Sequence, residues 1–443
     1  MAAFLKAALA AASLWRNSST GIHSFLTFDS GLTAQNISDT VCPSTYDFVW
    51  GAGADHVSAY RSCTLTAGKS SDSVRNSMPA TPIVLSYYTP YSRDCSHGDF
   101  EEAQHWYVSQ NRTSWIMYKC DKVTPAWYGS ETNRCVPLDI SNPEVVAWQL
   151  AEFAEGQAQA LGYDAVAADN YGLDNDYEAC GVWSAGETGT EWVPKWTGAY
   201  SDAQWTASAL SWLGNFSAGA RELESSRGLP IEVVPNYGVY AAGGRDANDP
   251  DMREVIKLSG AIVDEAGFTE WGGGRSDFHE LSTILGLYSL AQASGVPYFV
   301  INELSESDIS SSVAREWVVA CYLLANQGLL GLFLTGVQDY GGLQEVFPEI
   351  ACGAADGDIG AGLGAPVLDE VSGLWTRSYS GGFVAVNPGS VSVTVLLDQD
   401  AYAWRDCYGE LVDGEELLVK NETGKILLKS ARKSLRNASV HAI

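Results

Sequence analysis

The chain is poor in the residues that metal chemistry and activated nucleophiles require. It has six His and four Met in 443 residues. His23, His56, His97, His105, His279 and His441 fall in no HxH or HExxH spacing. Zinc-assisted hydrolysis and a Ser-His-Asp nucleophile are therefore unsupported, and neither a metal nor a cofactor is expected. Basic residues are scarce too, with 26 Lys and Arg against 54 Asp and Glu and a formal charge of −28. A surface of that sign repels phosphates, which excludes nucleic acid as a partner. No apolar run reaches the ~20 residues of a membrane-spanning helix. No CxxC pair occurs, against a zinc ribbon or thioredoxin-type site. The glycine run GGGR at Gly272–Arg275 follows no strand and does not read as a phosphate loop.

What is present suits a large folded core. Hydrophobic residues make up 46%, and there are 15 Trp and 21 Tyr. Most of these aromatics belong in the core, but flat aromatic faces also stack on the C–H faces of sugar rings. The acidic balance reads first as solubility in a salty or extracellular medium. Its sharper reading is attraction of a cationic substrate such as a deacetylated amino sugar.

Cys42, Cys63, Cys95, Cys120, Cys135 and Cys180 lie mostly in turn-rich stretches of the first half, a pattern of loop disulfides in an oxidising compartment. Cys321 sits inside the helical run Ala314–Ala325 and reads as a buried free thiol. Sequons at Asn17, Asn36, Asn111, Asn215, Asn421 and Asn437 agree with secretion. Residues 1–20 have the look of a degenerate signal or transit peptide, interrupted by Lys6, and stand apart from the fold. The expected location is extracellular or secretory, with an organelle as the alternative.

Short apolar runs alternate with helix-period segments, the pattern of parallel strands covered by helices. Eight runs stand out: Phe25–Asp29, Asp47–Ala52, Ile83–Tyr88, Asp164–Asn170, Ile231–Tyr237, Ala261–Glu265, Tyr298–Glu303 and Leu330–Thr335. Helices are expected over Pro143–Leu161, Ala203–Glu224, Phe278–Ala293 and Val313–Ala325, each followed by a Gly or Pro stop. Eight strands and intervening helices predict an α/β fold, a (β/α)8 TIM barrel over residues 21–352. The stretch Asp94–Asp139 is too long for a barrel loop and reads as an insertion over the barrel top. Residues 353–372 read as a linker, 373–430 as a small C-terminal β-sandwich and 431–443 as a frayed tail.

Catalytic side chains of such barrels come from the C-terminal ends of strands. Here those ends carry Asp29, Asp169, Asp264, Glu265 and Glu303, with Asp139 closing VPLDI. A single strand-end acid is ordinary cap chemistry. Several of them supply the two opposed carboxyls that glycoside hydrolysis needs. Asp169, at the mouth of the apolar GYDAVAAD run, is the first candidate. Asp264 and Glu265 are neighbours, so only one can face the barrel axis. Glu265 is favoured because Ala-Gly-Phe follows it and allows a ligand close approach. Glu303 is the reserve acid. Trp50, Tyr87, Tyr88, Asn170, Asn236, Tyr237 and Asn302 are candidate sugar-binding groups alongside Asp29 and Asp139. One or two of Trp50, Trp127, Trp183 and Trp271 are expected as sugar platforms.

The runs VPLDISNPEVVAWQ, GYDAVAADNYGL, AIVDEAGF and YFVINE resemble a family of uncharacterised glycoside hydrolases. That family is of the α-galactosidase superfamily and related to endo-polygalactosaminidases. The resemblance spans roughly Phe25–Pro388. It implies a TIM-barrel glycosidase with Asp169 as nucleophile and an acid at the end of the sixth strand as acid/base, at Glu265 by position. Side-by-side Asp264 and Glu265 leave that second assignment open, with Glu303 a third choice. The expected partner is a carbohydrate, a polysaccharide or glycoconjugate. The rival reading is a catalytically inactive carbohydrate-binding barrel, which predicts an aromatic cleft without facing carboxyls.

Overall fold

In chain order the strands are β1 (His23–Thr27), β2 (Tyr46–Trp50), β3 (Val84–Pro90), β4 (Arg93–Asp94), β5 (Met117–Lys119), β6 (Val136–Pro137), β7 (Ala165–Asp169), β8 (Ala179–Gly186), β9 (Gly189–Pro194) and β10 (Glu232–Pro235). There follow β11 (Ile262–Asp264), β12 (Tyr298–Leu304), β13 (Leu330–Gly336), β14 (Val367–Asp369), β15 (Leu374–Ser378), β16 (Gly382–Asn387), β17 (Val393–Leu396), β18 (Tyr402–Arg405), β19 (Glu416–Val419) and β20 (Thr423–Ala431). This computed structural model describes residues 23–41, 46–66, 83–97, 100–128, 135–186, 189–238, 245–269, 278–336, 343, 347–353, 359–397, 402–412 and 414–431. The expected leader, the tail beyond 431, Trp271 and the run 272–275 lie outside the described residues.

Eight strands, one from each expected run, form a parallel sheet in the order β10-β7-β3-β2-β1-β13-β12-β11. The two edge strands meet at a parallel bridge between Asn236 and Val263. Tyr237 N donates to Val263 O at 2.8 Å, and Gly260 N to Val233 O at 2.8 Å. The result is a nearly closed barrel, in line with the TIM-like architecture expected.

Alternation along each strand sorts side chains into two compartments. Phe25, Phe48, Trp50, Val84, Ala165, Ala167, Val234, Val263, Phe299, Ile301 and Phe333 fill the barrel interior. Leu26, Val49, Leu85, Val166, Val233, Ile262, Val300 and Leu332 belong to the larger core that includes the surrounding helices.

The helices begin where polar caps meet proline or apolar periodicity. Asn142 accepts from Glu144 N ahead of Pro143, and the helix runs over Pro143–Gln149 and widens into π-helical turns over Leu150–Gln159. Asp202 caps Ala203–Ala220, and Asp249 caps Pro250–Leu258, a helix the sequence reading did not name. The helices Phe278–Ala293 and Ser312–Ala325 match expectation within a residue.

The insertion after β3 carries the helix Phe100–Ser109 and the short pair β4–β6. Its β5 joins β8 and β9 in an antiparallel sheet. Those last two strands come from the chain after β7, a second excursion that the sequence reading missed. The disulfides Cys95–Cys135 and Cys120–Cys180 brace this superstructure. Cys352–Cys407 ties the barrel to the C-terminal sheets, Cys63 is also disulfide-bonded, and Cys321 is a buried free thiol as expected. Asn36, Asn111, Asn215 and Asn421 are exposed. Among the described residues no helix is long and apolar enough to cross a membrane.

At the C-terminus a five-stranded antiparallel sheet and the pair β17–β19 enclose a small core that includes Leu374, Trp404, Leu417 and Leu427. This unit already begins at β14, inside the stretch read as a linker. It is clamped to the helix Ser312–Ala325 by buried polar contacts. Arg377 Nη1 donates to Leu323 O at 2.7 Å, Leu324 O at 3.1 Å and Asn326 O at 2.6 Å. These are carbonyls that a helix end leaves without partners. Glu316 accepts from Lys425 Nζ at 2.6 Å and Ile426 N at 3.0 Å.

Arg377→Ala removes a donor from Leu324 O and Asn326 O in a buried interface, while Leu323 O keeps its bond from the Tyr379 hydroxyl. Chemical denaturation should find it less stable than wild type by about 2–4 kcal/mol. A loss within error of zero would mean that the clamp contributes nothing.

Candidate active site

At the C-terminal mouth of the barrel the alternation decides which acids meet. Asp169 follows Ala165 and Ala167 in the interior-facing series, Glu265 follows Val263, and Glu303 follows Phe299 and Ile301. Tyr88 packs against the same interior cluster, and Asn236 is two residues beyond Val234. Asp169, Glu303 and Asn236 are buried, while Glu265 is half-buried.

Asp169 is surrounded by donors. Its Oδ2 accepts from the Tyr88 hydroxyl at 2.5 Å and from Asn170 Nδ2, and its Oδ1 accepts from Asn236 Nδ2 at 2.9 Å. Such an arrangement suits an ionised carboxylate, which is acceptor-only. Asn170 reaches back because its backbone turns left-handed, with φ 54°, a conformation Asn tolerates better than most residues.

Glu265 is in the opposite electrostatic position. Burial, then the negative charge of Asp169, push its carboxyl from the ordinary 4.5 up to about 7, with Glu303 and Asp264 adding to the rise and a hydrogen bond from Asn236 opposing it. Two carboxyls that share a mouth therefore differ in character. One is held as an acceptor of hydrogen bonds, and the other keeps its proton close to neutral pH.

Aromatic hydroxyls complete the wall. Burial and Asp169 hold the Tyr88 hydroxyl protonated well above its usual range. Tyr128, delivered by the insertion, is pushed up to about 12 by burial, Asp176 and Asp169, while Arg93 pulls it down. The Arg93 guanidinium lies 5.2 Å from the Tyr128 ring centroid, and Tyr128 packs on Tyr177 at 5.3 Å. Within β4 alternate side chains diverge. Asp94 accepts from Tyr107 OH at 2.8 Å in the insertion, whereas Arg93 belongs with Tyr88 and Tyr128. Sequence reasoning named neither Arg93 nor Tyr128. The only cue was that Tyr128 falls inside the overlong stretch Asp94–Asp139 and Arg93 directly before it.

The remaining candidates sit elsewhere, for reasons of strand parity or local capping. Asp264 has the outward parity of Ile262. Its Oδ1 accepts from Ala266 N and Gly267 N, each at 3.1 Å, and its Oδ2 from Tyr288 OH at 2.8 Å. It therefore builds the turn after β11. Asn302 has the parity of Val300, and its Oδ1 accepts from Phe268 N at 2.8 Å. Gly267 permits this contact, because a Cβ there would lie 2.4 Å from Val300 Cγ1 and 2.7 Å from Asn302 Oδ1. The glycine thus seats the turn on β12, rather than opening space for a ligand.

Tyr87 faces the helices, packing on Phe153 and Tyr163, and Tyr237 is fully buried against Tyr171. Trp50 is 1% exposed, between Phe48 and Tyr88 inside the barrel, so its faces are closed to a sugar. Asp29 departs from the β1 alternation because Phe28 turns left-handed at φ 50°. It accepts from Gly53 N at 2.8 Å and pairs with His56 at 3.1 Å. Asp139 accepts from Ser141 N at 2.9 Å and pairs with Lys195 at 2.6 Å, at the start of a helix. Trp127 and Trp183 lie in the inserted superstructure, half-buried, with Trp127 against Phe100 and Trp183 against Trp192. No group of His, Cys, Asp and Glu that could hold a metal occurs among the described residues.

No protein-family model matches the chain, and the search of curated proteins returned no match. Solved structures give a distant likeness. The glycoside hydrolase domain of PelA from Pseudomonas aeruginosa aligns at 15% identity and TM-score 0.40, over 73% of this chain and 98% of that one. A cycloalternan-degrading enzyme from Trueperella pyogenes aligns at 10% identity and TM-score 0.42, over 93% of this chain and 62% of its own. A GH31 family sulfoquinovosidase from E. rectale aligns at 11% identity and TM-score 0.42, over 94% and 63%. The chain thus spans less than two thirds of the length of the latter two. The barrel assignment rests on the strand ladders themselves.

The raised Glu265 carboxyl has a consequence for stability. Between pH 4.5 and about 7 the folded chain keeps a proton there that an unfolded chain has released, so stability contributed at this site falls as pH rises through that window. Glu265→Gln removes the dependence. Its stability relative to wild type should be greater at pH 8 than at pH 4, by on the order of 1–3 kcal/mol in denaturation curves. Equal differences at both pH values would contradict the proton-retaining environment of Glu265.

Proposed function

We propose that the chain is a glycoside hydrolase on a carbohydrate substrate, working by a retaining mechanism with Asp169 as nucleophile and Glu265 as acid/base. The observation that carries this reading is the pair of interior-facing carboxyls with opposite environments at one barrel mouth. Asp169 is presented by three donors as an acceptor-only group, and Glu265 is protonated close to neutral pH. Retaining hydrolysis needs one ionised and one protonated carboxyl flanking the bond to be cleaved.

In the first step Asp169 attacks the anomeric carbon as the glycosidic C–O bond breaks, and the Glu265 proton goes to the departing oxygen. A glycosyl ester on Asp169 results. Glu265, now ionised, then takes a proton from water as the water oxygen attacks the same carbon, releasing the sugar and restoring Asp169. Ionisation of Glu265 in the intermediate and its reprotonation at turnover both fall within reach of neutral pH, because a catalytic acid works best with a pKa near the operating pH.

Glu303 adds negative charge that favours the protonated form of Glu265. Tyr88 steadies Asp169 by its hydroxyl. Exposed sequon asparagines and disulfides are compatible with secretion.

The test is a panel of 4-nitrophenyl glycosides and polysaccharides, with variants assayed on whichever the wild type cleaves. Asp169→Asn should lower kcat by about a thousand-fold or more. Glu265→Gln should lower it by about 10²–10⁴-fold and lose the alkaline limb near pH 7. An Asp169→Asn protein with wild-type turnover would remove the assignment.

A further inference from the structure

The Asp169 carboxylate is spanned from both sides by neighbouring strands. In the order β10-β7-β3 its own strand is the middle one. Oδ2 turns toward β3, where it accepts from the Tyr88 hydroxyl at 2.5 Å, and Oδ1 turns toward β10, where it accepts from Asn236 Nδ2 at 2.9 Å. Tyr88 is in register with Ala167, two residues below Asp169. That is a rise of about 6.6 Å along a strand, which the length of the phenol bridges. Edge contacts with Phe28 at 5.0 Å and Trp50 at 6.2 Å between ring centroids hold the ring in place.

The two oxygens are unequally occupied. A carboxylate oxygen offers two lone pairs. Oδ2 accepts a second hydrogen bond from Asn170 Nδ2, so both of its pairs are engaged. Oδ1 has Asn236 as its one donor among the described residues, so one pair stays open. Oδ1 also lies on the flank toward Glu265, since β11 follows β10 around the barrel through the Asn236–Val263 bridge. A sugar carbon placed between the two acids therefore meets Oδ1 first.

We propose that Oδ1 of Asp169 is the attacking oxygen, and that Tyr88, with Asn170, is a positioning residue that holds charge on Oδ2 and so promotes release of the sugar from Asp169. The inference rests on the glycosidase reading for the roles of Asp169 and Glu265. It replaces the sugar-binding role that the sequence suggested for Tyr88 and Asn170.

In the first step an Oδ1 lone pair forms the bond to the anomeric carbon. The glycosidic C–O pair leaves on the departing oxygen, which takes the Glu265 proton. Oδ2 becomes the carbonyl oxygen of the ester, and its hydrogen bonds weaken as the negative charge goes. In the second step the water oxygen bonds to the same carbon, Glu265 takes a water proton, and the C–Oδ1 pair returns to Asp169. The restored charge is shared with Oδ2, where two donors meet it. Hydrogen bonds to an ionised acceptor are stronger than those to a neutral one. Tyr88 thus stabilises the free carboxylate most, the partly charged transition states less and the ester least. Removing its hydroxyl makes Asp169 a better attacking group and a worse leaving group.

The experiment compares full-length wild type with Tyr88→Phe and Asn170→Gly on the 4-nitrophenyl glycoside that the wild type cleaves, by steady-state and stopped-flow kinetics. Glycine accepts the left-handed backbone of position 170. In each variant kcat should fall about ten-fold and KM with it, while kcat/KM is held or rises. A burst of 4-nitrophenolate should precede the slow steady state. A side chain that merely packs against Asp169 would, when changed, lower kcat/KM and give no burst. That result in whichever variant folds, or an unchanged kcat, overturns the inference and leaves the glycosidase reading standing. An active Asp169→Asn enzyme removes that reading instead.

Discussion

A strand buried on both faces sends alternate side chains into two different compartments, and the meeting of Asp169, Glu265 and Glu303 at one barrel mouth follows from that constraint. In the nearly closed sheet one series points to the barrel axis and the other to the helices. The interior series is apolar for most of its length, from Phe25 and Phe48 to Phe299 and Phe333. At the C-terminal mouth it carries Tyr88, Asp169, Asn236, Glu265 and Glu303. A carboxyl with an apolar floor beneath it and other carboxyls beside it is disfavoured in its ionised form unless donors meet it. The environment therefore differentiates the acids. Asp169 is met by donors, and Glu265 retains its proton.

The superstructure serves the same mouth from above. The β4–β6 pair, braced by Cys95–Cys135, holds Arg93 against Tyr128, and the β5–β8–β9 sheet is pinned by Cys120–Cys180. These segments come from two separate excursions, after β3 and after β7, and assemble only in three dimensions. On the opposite flank, Arg377 and Glu316 fasten the C-terminal sheets to the helix Ser312–Ala325, whose neighbouring strands β12 and β13 carry Glu303 and Thr335 side by side. Rigid elements on both sides of the mouth are what a site needs if its reacting groups are to stay within a fraction of an ångström.

The barrel was legible because its strands are short, nearly continuous apolar runs, and all eight expected runs became strands of one parallel sheet. Alternation also favoured one of Asp264 and Glu265 for the axis, and the strand parity puts Glu265 there. The physical reason first given, room for a ligand beside Gly267, was mistaken, since that glycine packs against β12. Where parity was not applied, the reading failed. Tyr87 and Tyr88, both sugar-binding candidates, face opposite compartments, as do Asn236 and Tyr237, and Asn302 has the outward parity of Val300 rather than the inward parity of Glu303. Asp29 escaped even parity, because the left-handed Phe28 resets the alternation. Arg93, Tyr128 and the β8–β9 hairpin were not legible, since their placement depends on long-range pairing and disulfides rather than on local period.

The central claim is that Asp169 forms a covalent bond to the sugar while Glu265 manages the proton. Incubation of the wild-type protein with a mechanism-based 2-deoxy-2-fluoro glycosyl fluoride matched to the sugar it cleaves, followed by peptide mass spectrometry, tests this most directly. The account predicts one glycosyl adduct, on the peptide that contains Asp169, with loss of activity in step with labelling. An adduct on another carboxyl, or hydrolysis with inverted anomeric configuration and no adduct, would contradict it.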